Sequence, residues 1–178
     1  MIVRRGCLTL AHWIVLRQSA DDTAARVSLG TSTTLVQDSH VISGVQDPDP
    51  TAVLESFALG IVNDAGVDFV TIMDTSGIRH THPDRSQIGG RFLGTIDRAV
   101  HGRSLTETYT GTLGPSVRAI VPVMKGGRVF AIVSVGVTVE RVLASLAPRI
   151  PLVIGAAVLL VALGPAGAFS SPRGFSAG

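Results

Sequence analysis

The stretch SVRAIVPVMKGGRVFAIVSVGVTV (residues 116–139) decides the fold. Two runs rich in β-branched residues flank Lys125-Gly126-Gly127, a signal for a tight hairpin turn between strands. In the second run Val129, Ala131, Val133, Val135, Val137 and Val139 alternate with residues that include Ser134, Gly136 and Thr138. Successive side chains of a strand point to opposite faces. One face is therefore fit to pack on helices, and the other is small and hydroxylated, with space for a ligand.

Outward from this hairpin, LTETYTGT (residues 105–112) reads as a further strand and VDFVTIMD (residues 67–74) as another. Thr75-Ser76-Gly77 supplies a turn, and IRHTH (residues 78–82) can form the returning strand. RFLGTIDRAVHG (residues 91–102) reads as a short helical or looped insertion. Two helices precede the strands. The first covers residues 19–42, with Asp21 or Asp22 as cap and Ala24, Val27, Leu35 and Val36 on an uneven apolar face. The second starts at Pro50 behind Asp49 as N-cap, and sets Val53, Leu54, Phe57 and Ile61 at helical spacing. N-terminal helices packed on a mainly antiparallel five-stranded sheet make an α+β domain.

Of the 178 residues, 46% are apolar and 16% charged, and the formal net charge is +2. That composition excludes a disordered chain. The basic residues are scattered singly, without interleaved aromatics, so nucleic acid is not an expected partner. Cys7 stands alone, which leaves neither an intramolecular disulfide nor a cysteine-based metal site. IPLVIGAAVLLVALGPAGAF (residues 150–169) carries no charge over the length needed to cross a bilayer and predicts a transmembrane helix. Arg4 and Arg5 precede a shorter apolar run, so residues 1–19 read as a partial or degenerate first membrane segment. The positive-inside rule then puts residues 20–148 outside the cell membrane and residues 170–178 in the cytoplasm.

The polar residues of interest crowd into GIRHTHPDRSQIG (residues 77–89). His80 and His82 have the spacing of two imidazoles on one strand face, and Asp84 and His101 could extend a metal set. Hydrolases built on such a pair need a large barrel and more ligands, so no metal is expected. There is no G-x-S-x-G elbow and no nucleotide-cradling glycine loop, so no catalytic residue and no cofactor is assigned. Anion recognition fits better. Arg79, His82 and Arg118 are cations on or beside strands, and Thr110, Gly111, Thr112 and Gly114 form a turn-rich loop whose N–H groups can face an oxyanion. In a regular strand Arg79 and His82 would face opposite ways, so they converge only if the strand ends or twists before Pro83. The residues alone leave a second reading open, a solvated pair beside a turn.

The order DTSGIRHTHPDRSQIGGRF (residues 74–92), TYTGTLGPSVRAIVPV (residues 108–123) and GGRVFAIVSVGVTVE (residues 126–140) resembles the extracytoplasmic PAS-like, or Cache, sensor domain of citrate and C4-dicarboxylate sensor histidine kinases. The resemblance implies a membrane-anchored homodimer that binds a small carboxylate. It carries ligand contacts onto Arg79, His82, Phe92, Thr112, Gly114, Arg118 and Ser134. Citrate-type members have a second basic residue two positions beyond the loop arginine; Ile120 stands there in this chain, which favours a dicarboxylate, while His80 can stand in for the missing charge and leaves a citrate-like ligand open. In such two-component systems the second membrane helix passes the signal to a kinase core, which serves a response regulator. The chain is expected to stop before that core and to phosphorylate nothing by itself, since none of its five histidines has a phosphoacceptor context. The alternative is a degenerate membrane or dimerisation module that binds no ligand.

Overall fold

The computed structural model describes residues 2–146. In chain order they form α1 (Ile2–Leu35), α2 (Ser39–Gly44), α3 (Pro50–Asp64), β1 (Phe69–Met73), α4 (Asp97–Val100), β2 (Leu105–Gly111), β3 (Gly114–Lys125), β4 (Arg128–Thr138) and α5 (Val139–Leu146). The strands make one antiparallel sheet in the order β1-β4-β3-β2. The compact unit that holds this sheet runs to Val142. The membrane helix expected at residues 150–169 lies outside the described residues, among which no helix is long and apolar enough to cross a membrane.

The helices form for local reasons. No glycine or proline interrupts residues 7–29, so α1 passes through Asp21 and Asp22 instead of starting there as expected. The single helix expected over residues 19–42 is also divided. α1 ends at Leu35, and Asp38 caps α2 by accepting the His40 N–H at 2.7 Å. The start of α3 is as read from sequence: Asp49 accepts the Ala52 N–H at 3.1 Å, with Pro50 in the first turn.

The valine face of β4 packs under the helices. Ala131, Val133, Val135 and Val137 share a core with Val70 and Ile72 of β1, with Leu54 and Ala58 of α3, and with Ala24 and Leu35 of α1. The buried stripe of α1 also contains Ser28 and Ser32, small enough to let the helix lie close to the sheet. Ser32 meets its own polar need by donating to the Ser28 carbonyl at 2.7 Å. Val27, expected on the packed face, is exposed.

Two features of the sheet differ from expectation. It has four strands, because residues 78–82 form no ladder with β1, only an isolated bridge between Met73 and Arg79 and a few local hydrogen bonds. A side chain closes that edge instead. The Thr81 hydroxyl accepts the Ile72 N–H at 2.9 Å and donates to the Val70 carbonyl at 3.0 Å, while the His80 N–H reaches the Ile72 carbonyl at 2.8 Å. The edge groups that a fifth strand would pair are thereby satisfied.

The second feature is a bulge in the β3–β4 hairpin. Gly126 and Gly127 close it with φ of 58° and 77°, the left-handed geometry of a two-residue turn. That turn alone would pair Arg118 with Val135. The ladder runs Lys125–Arg128 and Met124–Val129, then skips Phe130 to reach Val123–Ala131. The extra residue shifts everything beyond it by one, and Arg118 pairs with Gly136. Phe130 turns toward the helix-side core, and Val129 moves to a second cluster on the opposite face, formed by Met73, Ala99, Ile120 and Ile132. The face of β4 expected to be hollow is thus filled at its Ile132 end and free of core at its Gly136 end.

Candidate functional site

One row across the sheet organises the site: Phe69, Gly136, Arg118 and Glu107 are neighbours on β1, β4, β3 and β2. A Cβ on Gly136 would lie 2.3 Å from Cζ of Phe69 and 3.0 Å from Cβ of Arg118, so only glycine lets the ring lie beside the arginine. Arg118 is buried. Its Nε and Nη2 both donate to Oε1 of Glu107, at 3.0 and 2.8 Å. The Phe92 and Tyr109 rings flank the guanidinium, their centroids 4.7 and 4.3 Å from Cζ.

Arg79 reaches the same place from the loop after β1. Asp74 builds the turn, its carboxylate accepting the Ser76 and Ile78 N–H groups at 2.8 and 2.9 Å, with Gly77 at φ 83°. Residues 77–79 then bond to residues 89–92: Arg79 N–H to Gly90, Gly89 N–H to Arg79, Phe92 N–H to Gly77. The Arg79 guanidinium is held by neutral oxygens, the Gly90 carbonyl at 3.2 Å and Oε1 of Gln87 at 3.1 Å. Arg79 is only 5% exposed, and no carboxylate among the described residues pairs with it. Burial pulls its pKa down, and the charge of Asp84 opposes that only in part.

His82 completes the set. Its Nδ1 lies 3.0 Å from the Asp84 nitrogen and 3.1 Å from the Asp84 carbonyl oxygen, and its Nε2 is 3.1 Å from Oγ1 of Thr112. Burial lowers the His82 pKa, the bond that the charged ring donates to the Asp84 carbonyl raises it, the charge of Arg79 lowers it and that of Asp84 raises it; the net shift is downward. The residues from Arg79 to His82 are not a regular strand, and the two side chains that would oppose each other in one both face a common cavity.

That cavity has a volume of about 20 Å³, roughly the space of one water molecule. Arg79, His82, Phe92, Thr112, Gly114 and Arg118 line it. Ser134 does not. It is fully buried on the same face of the sheet, between Thr71 and Ile120 in register, and its hydroxyl has no partner among the described residues. Sequence reasoning missed Phe69, Thr71, Leu93, Leu113 and Ser116 in the lining, and missed Glu107 altogether. The signal for Glu107 was present: a two-residue turn at Thr112-Leu113 pairs Gly111 with Gly114, and the same register pairs Glu107 with Arg118. Ile120 belongs to the apolar cluster with Met73 and Ile132 and does not line the cavity. Among the described residues no three histidine, cysteine or acidic side chains gather as a metal site.

Residues 15–150 match the family described as single Cache domain 3. The chain is 34% identical over 118 residues to the sensor protein CitS of Halalkalibacterium halodurans, an alignment covering 65% of this chain and 22% of CitS. It is 24% identical over 140 residues to the sensor histidine kinase DcuS of Escherichia coli, covering 76% of this chain and 26% of DcuS. The chain thus spans about a quarter of the length of these curated relatives. The crystal structure of the E. coli DcuS sensor domain superposes with a TM-score of 0.63 at 21% identity, covering 75% of this chain and 98% of that domain.

Proposed function

Because the chain belongs to the single Cache domain 3 family, we propose that it is a sensory input domain that binds a small carboxylate, preferably a C4-dicarboxylate, between Arg79, His82, Thr112 and Arg118. Arg79 carries this reading. A buried guanidinium held only by neutral oxygens is electrostatically incomplete, and an anion is what completes it. Thr112, on the turn above, adds a hydroxyl next to His82, and Phe92 gives the site an apolar wall. Gly114, with φ at 89°, gives the turn its shape, and Ser134 offers a spare hydroxyl beneath the site once the sheet shifts.

In this reading residues 20–148 lie outside the membrane, the helix at residues 150–169 anchors them, two copies associate, and the signal reaches a two-component kinase core and its response regulator. The domain itself does no chemistry. A second reading, a module that no longer binds ligand, draws on the small cavity and on an Arg118 already paired with Glu107.

Calorimetry on the purified full chain with succinate, fumarate, malate and citrate separates the two. We expect heat with at least one dicarboxylate. An Arg79→Met variant should bind it at least about tenfold more weakly, the worth of a charged hydrogen bond, without losing thermal stability. Absence of heat from a folded sample with all four acids would select the second reading.

A further inference from the structure

Arg118 does not present its whole guanidinium to the cavity. Glu107 holds the Nε and Nη2 edge through one oxygen, Oε1. The backbone at Gly94 closes another side, where a Cβ would sit 1.8 Å from Nη2. Nη1 remains, lying toward Gly111 on the cavity wall, where a Cβ would be 3.6 Å away. The guanidinium groups that line the cavity are those of Arg79 and Arg118, and of the two only Arg118 has a carboxylate in direct contact, that of Glu107. Glu107 stands on the edge strand β2, and its side chain is 19% exposed.

Resting on the carboxylate reading above, we propose that Glu107 sets the charge of the ligand: it is a built-in carboxylate that offsets Arg118, so the site accepts a diacid and rejects a triacid. A ligand carboxylate docked on Nη1 shares one guanidinium with Glu107, and every further charge on the ligand enters against the same fixed anion. The penalty grows with ligand charge, which a merely structural role in orienting Arg118 would not produce. Geometry leaves this role to Glu107, since the other acids near the site point elsewhere. Asp84 is exposed and caps the turn at residues 85–87, and Asp74 is committed to its own turn.

The experiment compares the full chain with a Glu107→Gln variant, which keeps an oxygen for Arg118 and removes only the charge. Dissociation constants are measured by calorimetry for butyrate, succinate and tricarballylate, a mono-, a di- and a triacid. We expect tighter binding in the variant, with the gain rising by roughly fivefold for each added ligand charge, so that the preference for diacid over triacid shrinks or reverses. Glu107→Ala, which removes the same charge without an amide, should give the same order and serves if the first variant does not fold. Equal changes for all three acids, or a uniform loss, would overturn the role of Glu107 while leaving carboxylate binding intact. No binding of any acid by parent and variants alike would overturn both.

Discussion

His82 is placed to change state when an anion arrives. Its Nδ1 lies 3.0 Å from the Asp84 nitrogen and 3.1 Å from the Asp84 oxygen, so the ring has a backbone partner whether it accepts or donates there. In the free chain burial, reinforced by the positive charge of Arg79, holds the pKa below 6.5 despite the opposing pull of Asp84. An anion seated between Arg79 and His82 favours the charged imidazolium, so the bound-state pKa is higher than the free-state one. Binding then takes up a proton, and affinity rises as pH falls through that interval. We expect a fully ionised diacid to bind more tightly at pH about 6 than at pH about 8. The measured heat should vary with the ionisation enthalpy of the buffer, and both effects should vanish in His82→Gln. A pH-independent affinity in the parent would refute the proton uptake. Without ligand the sign for stability is opposite: the neutral ring is the native form, so its contribution is present above pH 6.5 and is lost as acid drives protonation toward the folded-state pKa.

At the scale of elements, the site depends on one irregular edge and one irregular ladder. Thr81 stitches the free edge of β1 and thereby fixes where Arg79 and His82 leave it. Thr81→Val preserves shape but orphans the Ile72 N–H and the Val70 carbonyl. It should cost about 1–3 kcal/mol, read as a lower denaturation midpoint with an unchanged denaturant slope. A loss well under 1 kcal/mol would mean that the edge repairs itself. The bulge at Phe130 has the complementary task. It turns β4 by one residue, so that the glycine and hydroxyl positions, and not the valines, stand beside Arg118.

Across the whole molecule, the two faces of the sheet divide the labour. α1 and α3 cover one face with a packed apolar core, and the other face holds a smaller cluster beside the cavity lined by Arg79, His82 and Arg118. The far ends of β1 and β4 are tied at Asp68, whose carboxylate accepts the Thr138 N–H and hydroxyl at 2.7 Å each and pairs with Arg141 at 2.8 Å, where β4 runs into α5. A ligand that draws together Arg79 in the loop and Arg118 in the sheet stabilises only the folded molecule. Diacid at about a hundred times its dissociation constant should add about 2.7 kcal/mol to unfolding. The check is a thermal melt with and without ligand, and the increment should be absent in Arg79→Met. A parent melt that does not move at that excess would contradict binding to the native fold.

Much of this was legible in one dimension. Alternating valines predicted the packed face of β4 and Asp49-Pro50 predicted the start of α3, because period and capping are local properties, and Arg79, His82 and Arg118, picked out by side-chain type, do line one cavity. Register, edges and pairing are not local. The number of strands turned on a threonine hydroxyl that replaces a ladder, the face beneath Arg118 turned on one bulged phenylalanine, and the charge of the site turned on Glu107, which meets Arg118 only across the sheet. Sequence determined that this chain folds as helices on an antiparallel sheet with cations in its loops. Which of those cations is left without a counter-charge was decided by tertiary structure, because that depends on what each meets once water is excluded.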